Sequence, residues 1–291
     1  MSLIQAIILG FLQGITEFLP VSSSGHLALL QALFGLEEAD MLFDVLLHVG
    51  TLIAIFIVYF KDIKKLIING FAILGCWFYN AFAFVANLLP GEKREYKKVV
   101  TNAYRKFVLL VIVSSIPTAI IGILDSDLVE AASATLIVPG CCLIVTAGIL
   151  LMAQFLGGGS KMPSEVSYKE ATLIGIAQGV ATLPGISRSG STVTACLLCG
   201  FDRKFAVKYS FIMSIPAILG SLILELVKAD FGTITSAVMV NYIVGTVVSA
   251  VVGFIFIKVM LAVVKKKKFI YFSIYCFAVG VVAVVAHFVM A

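Results

Sequence analysis

The chain has 291 residues and a formal net charge of +5, yet only 13% of its residues are charged while 61% are hydrophobic, for a mean hydropathy of +1.11. Soluble globular proteins carry roughly 25% charged residues, so a soluble enzyme or binding module is excluded and an all-α polytopic membrane protein is expected. Nucleic acid is excluded as a partner too, because the basic residues fall in short clusters between apolar spans, where they orient a chain in the membrane.

No Lys or Arg precedes Lys61, so the basic start of a secretory signal is missing and the N-terminus is expected to be mature structure. The first apolar element is interrupted. Leu3 to Leu12 and Leu27 to Leu36 are apolar apart from Gln5 and Gln31, and each is about half of the roughly 20 residues that cross a bilayer. Between them lies Gln13-Gly-Ile-Thr-Glu17-Phe-Leu-Pro-Val-Ser22-Ser23-Ser24-Gly25-His26. Two half-length helices around a polar turn predict a re-entrant hairpin over 2–36, its turn buried in protein or lining a wet cavity. Glu37, Glu38 and Asp40 predict an aqueous turn, and Met41 to Phe60 a full span ended by Lys61, Lys64 and Lys65.

Leu66 to Leu89 is apolar enough to cross, but Lys93, Arg94, Lys97, Lys98, Arg105 and Lys106 follow it. One crossing there would put basic clusters on both sides, so an interfacial helix or helical hairpin is predicted. Phe107 to Leu124, with Pro117, leads to Asp125, Asp127 and Glu130, and Ala134 to Leu156 returns to a linker over 157–169. A second re-entrant hairpin is predicted over 171–198. Spans near 209–227 (with Pro216), 237–264 and 269–290 complete the chain, Lys265 to Lys268 separating the last two. Both prolines read as kinks, and basic loops inside put both termini outside.

The two hairpins are copies. Ala6, Gly10, Gln13, Gly14, Ser22, Ser24 and Gly25 recur 165 residues later, without a gap, as Ala171, Gly175, Gln178, Gly179, Ser187, Ser189 and Gly190. Chance would give about one or two such identities, so the chain is read as an internal duplication: residues 1–156 and 170–291, each a hairpin plus three crossings and therefore inverted relative to the other, with both hairpin tips near the midplane. The differences divide the chemistry: Glu17 is matched by Thr182, Ser23 by Arg188 and His26 by Ser191.

Ser22, Ser23 or Ser24 can cap a helix starting near His26, and Ser187 or Ser189 one starting near Ser191. Each start offers free N–H groups and a positive dipole end, while Gly25 and Gly190 let an anion approach the backbone. Two such starts with Arg188 as a bidentate clamp make a phosphate site. Gln13 and Glu17 share a helical face and can hold a divalent cation or orient water. His26, three residues from Ser23, can take a proton from a hydroxyl. The set suits phosphoryl hydrolysis.

Blander readings stand beside these. Glu17, His26 and Arg188 could form a structural ion pair and the serines could be caps alone, although ionisable groups inside a membrane are functional by default. His48 and His287 read as packing or backbone-bonded histidines. The six cysteines, Cys196 and Cys199 included, read as small apolar side chains, and Lys265 to Lys268 as a topology signal and anionic-lipid contact.

Gln13 to His26 together with Pro184-Gly-Ile-Ser-Arg-Ser-Gly190 resembles the undecaprenyl pyrophosphate phosphatases, or bacitracin-resistance proteins, over nearly the whole chain. The family's (E/Q)xxxE motif falls on Gln13 and Glu17, its PVSSxGH motif on Pro20 to His26 and its PGxSRSG motif on Pro184 to Gly190. The resemblance implies a bacterial inner-membrane enzyme, its site open to the outer face, that removes the terminal phosphate of the undecaprenyl carrier. It also implies recycling of that carrier for peptidoglycan synthesis, bacitracin resistance, a divalent metal (Mg2+ or Ca2+), Ser23 in the nucleophile position, a polyprenyl pyrophosphate and membrane lipids as partners, and a possible homodimer. A lipid-phosphate flippase is the competing reading, since inverted repeats with broken helices are common in alternating access. A pure carrier has no use for an acid, a base and a nucleophile. A phosphatidic acid phosphatase fold fails, because its Ser-Arg motif needs a following His and Asp and residues 189–200 contain neither.

Overall fold

The structure, a computed structural model, describes residues 1–36, 41–90, 92–133, 135–228 and 235–290. The turn expected over Glu37, Glu38 and Asp40 lies outside them, as do the side chains of Asp127 and Glu130. The described residues form helices α1 (Leu3–Thr16), α2 (Ser23–Leu33), α3 (Met41–Val58), α4 (Phe60–Ala86), α5 (Ala103–Leu124), α6 (Ser126–Ser133), α7 (Ile137–Phe155), α8 (Tyr168–Val180), α9 (Arg188–Leu198), α10 (Arg203–Lys228), α11 (Ser236–Lys265) and α12 (Phe269–Met290). Beyond an isolated bridge between Lys161 and Phe201 they contain no strand. Six helices, α4, α5, α7, α10, α11 and α12, are long and apolar enough to cross a membrane. Their outward side chains include Ile120, Val247, Ile255 and Val282, as lipid contact requires. The chain is an all-helical, multi-pass membrane protein.

Of the two forms expected for 66–89, a helix or a helical hairpin, the structure has the single helix. Residues 66–89 are not a hairpin. Residues 66–86 belong to one uninterrupted helix, α4, that starts at Phe60 and is separated from α3 only by Tyr59 at φ −104° and ψ 21°. Gly70 and Gly75 cost a helix about 1 kcal/mol each without breaking it, and Asn69, Asn80 and Asn87 bond a neighbouring segment instead of turning the chain. The acidic stretch after Asp125 lies in the short helix α6. Pro117 and Pro216 both sit inside helices that continue past them.

Each hairpin begins in the same way. Ser2 and Ser167, 165 residues apart, are N-caps whose hydroxyls accept from the backbone of Gln5 and Glu170, and those side chains reach back to complete capping boxes. α1 then packs on α11 and α8 packs on α5, and the repeated glycines make both packings possible. A Cβ on Gly10 would lie 2.4 Å from the carbonyl oxygen of Gly245, and one on Gly175 would lie 2.1 Å from that of Ser114. Close approach lets α5 bond α8 directly: Ser114 Oγ donates to Ala171 O at 2.9 Å and Thr118 Oγ1 to Gly175 O at 2.9 Å. We expect Gly175→Ala to lower the melting temperature in detergent by roughly 3–10 °C, the cost of overpacking a tight contact. Gly148→Ala, inside α7, should raise it slightly or leave it unchanged, because nothing lies within 4 Å of a Cβ there and alanine favours the helix. Equal melting of the two variants would contradict this account of the interface.

The basic ends gather on one side of the bundle. Lys208 Nζ lies 3.0 Å from Asp62 Oδ2, Lys106 sits 3.4 Å from the ring centre of Tyr168, and Arg203 donates to the carbonyls of Leu156 (2.7 Å) and Val264 (3.3 Å). These contacts join the ends of α7 and α11 to the starts of α4, α5, α8 and α10. Beneath them Phe107, Phe201, Phe205 and Tyr209 pack ring against ring, with centroids 5.3–5.8 Å apart.

Candidate active site

The two hairpin turns meet. α1 ends at Thr16, with the N–H of Glu17 still bonded to Gln13 O at 2.9 Å, so Glu17 stays one turn above Gln13 on the same face, as four-residue spacing dictates. The chain then needs a sharp reversal to start α2. It takes this at Ser22, whose φ of +68° is left-handed, a conformation that costs a residue with a Cβ about 1–3 kcal/mol. The second turn places its left-handed residue at Gly185, φ +97°, and leaves Ser187 at an ordinary φ of −71°. Ser22 Oγ accepts from the N–H of Gly25 at 3.3 Å and Ser187 Oγ from that of Gly190 at 3.0 Å. In both caps the serine two residues on, Ser24 or Ser189, lies 3.4 Å away. The turns touch directly, since a Cβ on Gly25 would lie 2.8 Å from the Cα of Gly185, and Ser189 Oγ donates to Leu19 O at 3.4 Å.

Equivalence of the hairpins puts Ser23 and Arg188 at the first positions of α2 and α9, and both converge on the carboxylate of Glu17. Arg188 Nη2 donates to Oε1 at 2.5 Å, and Ser23 Oγ donates to Oε2 at 2.6 Å. Oε2 also receives Gln13 Nε2 at 3.1 Å. Glu17 is only 9% exposed and Gln13 is fully buried, so the charge of Glu17 depends on Arg188. The ion pair envisaged among Glu17, His26 and Arg188 exists without His26.

His26 is turned away from Ser23. Its Nδ1 lies 2.8 Å from Ser22 O, and a carbonyl can only accept, so Nδ1 carries a proton. In the neutral ring Nε2 then accepts from Tyr275 OH at 2.9 Å, and the two rings stack with centroids 5.5 Å apart. The hydroxyl of Ser23 therefore has Glu17, not His26, as its partner in this structure. A second histidine stands nearer. His48 on α3 bonds Asp44 O through Nδ1 at 2.8 Å and points Nε2 at Glu17 Oε2, 3.5 Å away. The backbone bond expected of His48 is present, but its contact with Glu17 is not one that sequence reasoning finds. The one signal for it is an imidazole inside an apolar span. Tyr275 gives none.

Among the described residues no three His, Cys, Asp or Glu side chains converge as a ready-made metal cage. Gln13 Oε1 is buried without a partner beside Glu17, so this pair could supply two oxygen ligands and leave the remainder to phosphate and water, a donor set that suits Mg2+. Gln178 Oε1 is an orphan as well, but there Thr182 replaces the carboxylate and bonds Asp125 Oδ2 at 2.6 Å instead. Only the first hairpin has the anion that a cation requires.

Comparison with known proteins gives the family. A family model described as bacitracin resistance protein BacA matches residues 6–282. A protein named undecaprenyl-diphosphatase from Desulforapulum autotrophicum is 40% identical over 295 residues, covering 99% of this chain and 100% of its own. Another of that name from Methanosphaera stadtmanae is 37% identical, with both chains fully covered, and undecaprenyl-diphosphatase 4 of Bacillus cereus is 36% identical over 99% of this chain and 98% of its own. With a family match over residues 6–282 and relatives at 36–40% identity over nearly the whole chain, the chain belongs to the bacitracin resistance protein BacA family.

Proposed function

We propose that this protein is a membrane phosphatase that hydrolyses undecaprenyl diphosphate to undecaprenyl phosphate and inorganic phosphate, so returning the carrier lipid for cell-wall synthesis and conferring bacitracin resistance. The observation that carries the reading is the meeting of Ser23 and Arg188, one from each hairpin, on the two oxygens of Glu17. An arriving phosphate competes for Arg188, whose planar fork suits phosphate oxygens, and the starts of α2 and α9 add backbone N–H donors. Ser23 Oγ then attacks the terminal phosphorus, Glu17 takes its proton, and the phosphoanhydride P–O bond breaks to release undecaprenyl phosphate. Water hydrolyses the phosphoserine in a second step, with Glu17 within reach of the same oxygen. Gln13 and Glu17 would hold a divalent cation, Mg2+ or Ca2+, which when bound neutralises phosphate charge.

The same reading makes the chain two inverted repeats with re-entrant hairpins. Its support is the exchange of partners, α1 on α11 and α8 on α5, together with matched caps and matched glycines. Basic ends gathered on one side favour a cytoplasmic location for that side. The bond from Thr182 to Asp125, at the far end of α5, favours a site opening to the opposite, outer face of the plasma membrane.

Purified protein in detergent, given undecaprenyl or farnesyl diphosphate, should release inorganic phosphate with Mg2+ or Ca2+ and stop when a chelator is added. No release with either metal would refute the phosphatase assignment, and undiminished release under chelation would refute the metal.

A further inference from the structure

The longest segment that the catalytic reading leaves unused is α4 with the chain that follows it. Residues 92–102 form neither helix nor strand and run back along α4. Asn87 exchanges two hydrogen bonds with the backbone of Arg94, at 2.7 and 3.0 Å, and Asn80 does the same with Lys97, at 2.7 and 2.9 Å. Asn102 then donates to Asn69 at 3.0 Å, and Tyr104 to Asp62 at 3.2 Å. As the strap advances its partner on α4 recedes, so the excursion ends where it began and α5 leaves from the side at which α3 arrived.

Two placements of this unit fail on physical grounds. If α4 crossed the bilayer, the strap would carry Lys93, Arg94, Lys97 and Lys98 and a non-helical backbone into hydrocarbon, where neither is tolerated without protein or water around it. If the unit stood in water, Phe71, Phe78, Leu88 and Leu89 would each leave 69–76% of their apolar surface exposed. The boundary between the two phases suits both layers. Phe71, Phe78 and Val85 line the face of α4 turned away from the strap, and the strap supplies the cations. Arg94 lies 5.0 Å from the ring centre of Phe82 and Lys97 4.1 Å from that of Tyr79, the cation-over-aromatic pairing of an interfacial layer. Residues 61–106 carry nine basic and three acidic side chains, a net +6 that exceeds the +5 of the whole chain.

We propose that α4 and its strap lie in the headgroup layer on the basic side of the membrane and bind anionic lipid, forming an anchor separate from the catalytic hairpins. The charge excess selects the occupant, because basic clusters at a surface attract anionic headgroups, and the apolar face fixes the depth.

The one tryptophan of the chain, Trp77, sits on α4 with 46% of its surface exposed and reports on this directly. The full chain is reconstituted in phosphatidylcholine vesicles containing lipids brominated either near the headgroup or near the chain terminus. Shallow bromines should quench Trp77 more than deep ones, and brominated phosphatidylglycerol should quench it at least about twofold more than the same fraction of brominated phosphatidylcholine. Lys93→Gln, Arg94→Gln, Lys97→Gln and Lys98→Gln combined in one variant should abolish the headgroup preference while keeping the depth. Strongest quenching by deep bromines would overturn the proposal in favour of a crossing. Absence of quenching would overturn it in favour of water, and equal quenching by the two headgroups would remove the anionic lipid.

Discussion

Arg188→Gln lowers turnover of undecaprenyl diphosphate by at least roughly 100-fold, the scale of losing one charge aimed at a transition state, and it also destabilises the fold. The second effect follows from burial. Glu17 keeps 9% of its surface, and removing one partner of a buried pair strands the other charge at a cost of about 3–5 kcal/mol. Loss of activity in the single variant is therefore ambiguous, and the Glu17→Gln/Arg188→Gln double variant separates the causes. With both charges gone no ion is stranded, so the double variant should melt close to wild type while remaining at least roughly 100-fold slower. A double variant that regains near-wild-type phosphate release would show that the pair only holds the hairpins together.

Ser23→Ala should abolish turnover while diphosphate-lipid binding survives. Arg188 and the two helix starts hold the ground state, whereas the hydroxyl acts in the chemical step, so its loss falls on kcat. Acid quenching of the wild-type enzyme with substrate labelled in the terminal phosphate should trap label on the protein, and the variant should trap none. If Glu17 activated water instead, Ser23 would only help to hold phosphate. The variant would then keep kcat within about tenfold of wild type with a raised KM, and that result would discard the covalent route.

Features written in local spacing are legible in the sequence alone. Gln13 and Glu17 share a face because four residues make one turn, and the hairpins are visible because a ten-residue apolar run cannot cross a bilayer. The duplication goes further. It pairs Ser23 with Arg188 by position, and the structure brings the two onto one carboxylate. Position 26 shows where local spacing fails. Three residues separate His26 from Ser23, but the ring turns to Ser22 O and Tyr275, and whether it does so depends on where α12 packs. His48 reaches Glu17 for a similar reason, through the seating of α3 against the first hairpin, which neither segment encodes alone. In α4, Asn69, Asn80 and Asn87 are satisfied by a strap up to 33 residues away in the chain.

The contact between Glu17 and Arg188 also sets an order of events during synthesis. The two residues are 171 positions apart, and at about 5–20 residues per second a ribosome needs on the order of ten seconds or more to travel between them. Throughout that interval the first hairpin has emerged with a carboxylate whose arginine does not yet exist, and hydrocarbon rejects such a group. Final seating of α1 and α2 must therefore wait for α8 and α9, and the stacking of Tyr275 on His26 waits for the last helix. The half of the duplication that is made first is the half that settles last.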